Sequence, residues 1–355
     1  MDDMTRTTPP RPADITAVFP QLALLASTAT RLHPRPGSPS VRDSSVGGPL
    51  LWPAAEPWPH CDGPHELDGW HPAMSLADVR LGRRIRAAAS GRSMTPQERE
   101  TLRQISPLPD YPITKRPVPQ PYDGPIAMLP VAQLCVRDVP DLPAPAGSDL
   151  LQVLWCPFDH PPKDYMPRTA VFWRSAAAVT DVMNTPPEPP AVQYDHYVLE
   201  PCLIDPEQVT EYPAPLELDK ELREQLKEWG ARHKEPGGDY DGDEQAYYQY
   251  ELSVAPGWKV GGWAPWSFRD PSPQHCPACG TPMLPLLTIA TDEWDGSNHS
   301  WIPYEDQAVL SSTSHGYPRY PGPSDPTAVQ IGRGYNQQLY ICPLAPEHPH
   351  TEWMQ

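Results

Sequence analysis

Seven cysteines and twelve histidines punctuate this 355-residue chain, and several stand at spacings that suit a metal ion. The segment His275-Cys276-Pro277-Ala278-Cys279-Gly280 is a C-x-x-C-G pattern. Such a turn lets two thiolates face one ion, with backbone N–H groups aimed at the sulfurs and glycine permitting the tight bend. Two thiolates are half a tetrahedral set. The other half falls at Cys342 with His348 or His350, giving Cys3His, a closed ligand set of the kind that holds structural zinc. Thiol redox chemistry is the competing use of C-x-x-C, but it sits at the head of a helix after a strand. Pro273, Pro277 and Pro282 oppose a helix there.

A second, weaker set lies upstream, where Cys61-x3-His65 and Cys156-x3-His160 offer two thiols and two imidazoles. That is again a sufficient zinc set. The same residues are equally well explained as core thiols and surface imidazoles. Cys135 and Cys202 have no such neighbours and are expected to be buried thiols. A catalytic reading needs three protein ligands and an open position. His60, His65 and His160, near Cys61 and Cys156, could supply it, with Asp159 as base.

The elements that would position these ligands occur twice. Ser45-Val46-Gly47-Gly48-Pro49-Leu50-Leu51-Trp52 is echoed by Lys259-Val260-Gly261-Gly262-Trp263-Ala264-Pro265-Trp266. Met128-Leu129-Pro130-Val131-Ala132-Gln133-Leu134 is echoed by Met283-Leu284-Pro285-Leu286-Leu287-Thr288-Ile289, and Leu151-Gln152-Val153-Leu154-Trp155-Cys156-Pro157 by Gln337-Gln338-Leu339-Tyr340-Ile341-Cys342-Pro343. Three matches in one order argue for a duplicated unit. Each copy places its cysteines and histidines at matching points of that register.

Fifty-three prolines keep helices few and strands short. The expected fold is α+β: antiparallel-rich, internally duplicated sheet subdomains with a few short helices and one connector helix. We divide the chain into an N-terminal helical arm and linker (1–44), a first repeat (45–204) with a helical insertion at 62–121, an acidic connector (205–255) and a second repeat (256–355). Within the arm, 13–32 has helical spacing interrupted by Pro20. In the insertion, 76–89 and 95–105 read as helices, the latter opened by Thr95-Pro96-Gln97-Glu98. The connector holds the clearest helix, 217–230, whose Leu222, Leu226 and Trp229 form one apolar stripe. Extended segments are expected at 126–136, 150–156, 169–174 and 194–204, and a second insertion at 295–326.

The net charge of −18 argues against nucleic acid as a ligand, since phosphate binding needs a basic surface. It suits a basic protein partner, and residues 200–251 hold fifteen acids against five lysines and arginines. No apolar run approaches the ~18 residues of a membrane span, so a cytoplasmic protein is expected, where cysteines serve as thiols or metal ligands more than as disulfides. Asp239-x-Asp241-x-Asp243 fails as a calcium loop because Glu244 occupies the glycine position and Tyr250 the closing-glutamate position. Gly332-x-Gly334 reads as a turn. With no G-x-S-x-G, H-E-x-x-H or phosphate-binding glycine loop, catalysis has no address in the sequence. Trp52, Trp58 and Trp155 could line a small-ligand surface, although core packing of a sheet explains them as well.

Gly47-Gly48-Pro49, Trp58-Pro59, Ala132-Gln133 and the strand at 150–155 make the chain resemble the YwqG-like family of bacterial cytosolic proteins. The second copy is similar, more distantly, to the programmed cell death 2 family, with its repeated Gly-Gly element and cysteine pairs. Trp263 and Thr288 depart from those patterns, Thr288 standing where a glutamine would echo Gln133. The resemblance implies a duplicated, sheet-rich architecture and no particular reaction. The expectation is a non-enzymatic, zinc-stabilised protein that binds another protein, a basic one by its charge, as an immunity protein or a chaperone would. The alternative is a metal-dependent enzyme with an open Cys/His zinc site in the first repeat.

Overall fold

Two six-stranded antiparallel sheets carry the repeated landmarks. The computed structural model describes residues 6–69, 72–106, 120–160, 164–233, 246–308 and 320–355. The first copy supplies β1 (Ser27–Arg31), β2 (Arg35–Pro36), β3 (Ser45–Val46), the small strands β4 (His60–Cys61), β5 (His65–Leu67), β6 (Gln120–Tyr122) and β7 (Ile126–Ala127), then β8 (Leu129–Cys135), β9 (Leu150–His160) and β10 (Asp164–Arg174). The second supplies β11 (Cys202–Leu203), β12 (Glu207–Glu211), β13 (Lys259–Gly261), β14 (Leu284–Ala290), β15 (Asn336–Ile341) and β16 (Thr351–Met354).

The strand orders are β10-β9-β8-β3-β11-β2 and β16-β15-β14-β13-β1-β12. Matched position by position, the two sheets are the same, except that each copy lends its first strand to the other. β1 lies between β13 and β12, and β11 lies between β3 and β2. The registers agree as well. Ser45 faces Gln133 and Gln133 faces Gln152; Lys259 faces Thr288 and Thr288 faces Gln338. Even the register shift recurs, between Pro130 and Ala132 in one copy and between Pro285 and Leu287 in the other.

This strand exchange changes the reading of residues 1–44 and 205–255. The arm holds one short helix, α1 (Ile15–Val18), capped by Asp14, and a 3-10 turn over Pro20–Leu25. Ser27–Arg31 then runs as a strand, not as the end of a helix. Pro20 lacks the N–H a continuing helix needs, and pairing with β12 and β13 holds Ser27–Arg31 extended. The connector likewise contains β12. In the stretch 194–204, Asp195–Tyr197 is a 3-10 turn and only Cys202–Leu203 is strand.

The insertion helices form where expected: α2 (Leu76–Ala88), with Ser75 accepting from the Asp78 N–H, and α3 (Pro96–Ile105), opened by the reciprocal Thr95/Glu98 cap. The connector helix, α4, spans Lys220–His233, because a 3-10 turn occupies Pro215–Glu217. It buries Leu222, Leu226 and Trp229 against Ile15, Phe19 and Leu22, with Phe19 edge-on to Trp229 at 6.0 Å. A continuous core joins both sheets through Val131, Val153 and Trp155 on one side and Leu286, Ile289 and Leu339 on the other. Trp52, Trp58 and Trp155 are all buried, so core packing accounts for Trp52 and Trp155, while Trp58 also lines a cavity of about 510 Å³. Gly332–Gly334 forms a turn closed by the Ile331–Tyr335 bridge.

Candidate metal centres

β9 is long and wholly buried, so alternate residues Cys156, Phe158 and His160 point to one face. On that face β4 brings Cys61 and β5 brings His65. The ligand atoms of Cys61, His65, Cys156 and His160 all lie within 4.8 Å of one another. Cys156 Sγ stands 3.3 Å from His65 Nε2, and Cys61 Sγ stands 3.8 Å from His160 Nε2. Hydrogen bonding with Cys156, then with His160 and His65 and the Gly63 backbone N–H, lowers the Cys61 thiol pKa against the opposing effect of burial. A thiolate is the form that binds metal.

The second cluster is built on a turn. Cys276 N–H donates to Thr281 O and Gly280 N–H to Cys276 O, closing a loop that the His275–Pro282 bridge pins. Gly280 sits at φ +72°, a conformation a side chain would strain. Cys342 comes directly after β15, and His348 lies on the loop that leads to β16. Cys276, Cys279, Cys342 and His348 again place their ligand atoms within 4.8 Å of one another. Cys276 Sγ to His348 Nδ1 is 3.4 Å, and Cys279 Sγ to Cys342 Sγ is 3.6 Å. Hydrogen bonds from the Thr281 side chain and backbone bring the exposed Cys279 thiol down to about 6.

These separations suit one ion. Zinc–sulfur bonds of ~2.3 Å and zinc–nitrogen bonds of ~2.0–2.1 Å put tetrahedral edges at roughly 3.8 Å between sulfurs and roughly 3.6 Å between sulfur and nitrogen. Both clusters could hold a metal ion.

The histidine of the second cluster is His348. His350 is turned away: its Nε2 meets Thr169 Oγ1 at 2.8 Å, where β10 passes the second copy, and burial lowers its pKa to about 4. Two residues of the catalytic alternative do not join the first cluster. His60 is tied by Nδ1 to Trp58 O at 2.8 Å and stands outside it. Asp159 accepts from Tyr197 Oη at 2.6 Å and from the Gln193 amide, and burial raises its pKa. Cys135 and Cys202 are buried outside both clusters, and burial pushes each thiol up.

The acidic stretch is less of a surface than its count implies. Glu211 is fully buried and meets Lys259 Nζ at 2.5 Å, while also accepting the N–H groups of Ala255 and Trp263. Gly262 makes this possible, since a Cβ there would collide with Glu211 Oε2. Glu251 is buried beside Ser300, Glu207 holds Thr8 and His33, and Glu200 pairs with Arg83. Glu221, Glu224 and Glu228 on α4 are exposed. Asp239, Asp241, Asp243 and Glu244 lie outside the described residues. Nothing in the sequence separates a surface glutamate from one, like Glu211, that balances a buried lysine.

No protein-family model matches this chain, and no curated protein matches it. Among the described residues, no helix is long and apolar enough to cross a membrane.

Proposed function

We propose that the chain is a non-enzymatic, zinc-stabilised protein that works by binding another protein, and that it is kin to the YwqG-like proteins through its Gly47-Gly48-Pro49, Trp58-Pro59 and Ala132-Gln133 segments. One observation carries the zinc reading: two four-ligand Cys/His sets stand at equivalent places in two matching sheets. Thiolate-rich sets select zinc over harder cations. Four protein ligands close a tetrahedron, as structural sites do, whereas a catalytic zinc keeps a position open. Each set also clips peripheral chain to a long sheet strand, β9 in one copy and the end of β15 in the other, so metal binding would become folding free energy. Free thiols in all seven cysteines agree with a cytoplasmic setting.

The partner is read from charge. A net −18 favours a basic protein, drawn by long-range attraction. The exposed acids of α4 are available to it, whereas Glu207, Glu211 and Glu251 are engaged within the fold.

Native mass spectrometry of protein purified without chelator tests the metal reading. Two zincs per chain are expected, with Cys279→Ser and Cys156→Ser each losing one. Metal-free protein would overturn it. Capture of partners at low and high salt tests the rest: salt-sensitive capture is expected, and salt-insensitive capture would count against acidic docking.

A further inference from the structure

The two copies differ at one place in a way that creates space. In the first copy Gln133 is fully buried, and its amide ties the sheet to the segment before and after the paired glycines. Its Oε1 accepts the Leu51 N–H at 2.7 Å and the Gln152 amide at 2.9 Å, and its Nε2 donates to Val41 O and Asp43 O. In the second copy the equivalent of Gln133 is Thr288, whose hydroxyl reaches only Gln338 across the strand at 2.7 Å. The equivalent of Leu51 is Pro265, which has no N–H to give. Acceptor and donor have gone together. Thr288 and Pro265 both line a cavity of about 280 Å³.

Aromatic, acidic and neutral polar side chains line that cavity. Trp266, Trp294 and Tyr335 bring aromatic rings to it, with Arg35 5.8 Å from the Trp294 ring and Phe268 packed on Tyr335 at 4.2 Å; Asp292 and Asp295 give it negative charge, and among the described residues no lysine or arginine lines it. Asp292 is partly buried, and among the described residues its carboxylate has no hydrogen-bond or ionic partner. The charges that act on it most are acids, while Arg83 and Arg86 line an adjoining cavity that Asp292 also borders. Burial, with Asp325, Asp295 and Glu293 around it, raises its pKa to about 6. A carboxylate left uncompensated beside aromatic faces is costly unless a cation balances it. Electron-rich ring faces attract the same kind of group.

We infer that this cavity is a binding site for a small organic cation, an amine or quaternary ammonium whose charge meets Asp292 while its carbon frame rests on the tryptophans. At about 280 Å³ it sits at the small end of ligand pockets, which limits the ligand to a compact molecule. The site is separate from both metal clusters, since none of their ligands lines it.

The test is calorimetry, with tryptophan fluorescence as a second readout, on the full-length metal-loaded protein. The probes are choline, agmatine and 3,3-dimethyl-1-butanol, the last a neutral isostere of choline. One choline or agmatine per chain is expected to bind, with the neutral alcohol about tenfold weaker. Asp292→Asn should weaken the cation about tenfold and leave the alcohol unchanged. Thr288→Gln, which restores the first-copy side chain into the space, should abolish binding. Circular dichroism and urea unfolding of each variant confirm that it is folded. Absence of saturable binding by both cations overturns the inference, as does equal binding of choline and its neutral isostere. Unchanged cation binding in a folded Thr288→Gln variant would do the same.

Discussion

Replacing Glu217 by glutamine should make this protein more stable at pH 8 and leave it nearly unchanged at pH 4. Glu217 ends the 3-10 turn before α4, where it accepts the Ala214 N–H. Burial pushes its pKa up to about 7, against the opposing pull of Trp266 and of that N–H. The folded state therefore holds a proton that the unfolded chain releases near the ordinary glutamate value. Between the two values, each pH unit removes about 1.4 kcal/mol of stability. The penalty is absent below the unfolded pKa, grows as pH rises, and is complete above the folded one. The interval gives about 3 kcal/mol at most, and partial exposure reduces it to about 2 kcal/mol. Glutamine keeps the acceptor for Ala214 and has no charge to bury, so it escapes the penalty at every pH. Urea unfolding at pH 4 and pH 8, on both proteins, measures the difference. A gain of equal size at the two pH values would show that packing, not ionisation, sets the effect. No gain at pH 8 would mean that water reaches the carboxylate freely.

Lys259→Met should cost about 3–5 kcal/mol in urea unfolding, because it strands the buried Glu211 charge; a loss below about 1 kcal/mol, on the order of a surface pair, would argue that the pair is hydrated. Gln133→Thr, which writes the second-copy residue into the first, leaves the Leu51 N–H and two carbonyls unpaired and should cost about 1–3 kcal/mol by the same measurement. Leu226→Ala should cost about 3 kcal/mol by opening the cluster beneath α4, and a neutral result would mean the helix docks on Trp229 alone. A strong zinc chelator should lower the melting temperature of the wild type by more than that of Cys156→Ser, which has one cluster fewer to lose; equal shifts would deny the first cluster a metal.

How much of this was legible in the sequence depends on the range of the interactions. The C-x-x-C-G turn is local, so its geometry is written in six consecutive residues. The landmarks of the repeat are strand segments whose order survives duplication, so Cys61, His65, Cys156 and His160 could be proposed as one set from register alone, and they do converge. Helices α2, α3 and α4 carry their caps and stripes within their own residues, and their ends fall within a few residues of the expected ones.

Tertiary structure decided what depends on distant chain. β1 and β11 are strands because the opposite copy offers them an edge; the spacing in residues 13–32 announces no strand, and the extended reading of 194–204 does not say which sheet its end would join. The choice of His348 over His350 turned on which way a loop faces once β16 has paired with β15. Glu211 became the partner of a buried lysine, 48 residues away, and left the acidic surface to which composition assigned it. Thr288 and Pro265 are each ordinary alone; only the paired sheets bring them to one place and leave space between them. Spacing along the chain specifies turns, caps and repeats, while burial and cavities belong to the way two sheets close on each other.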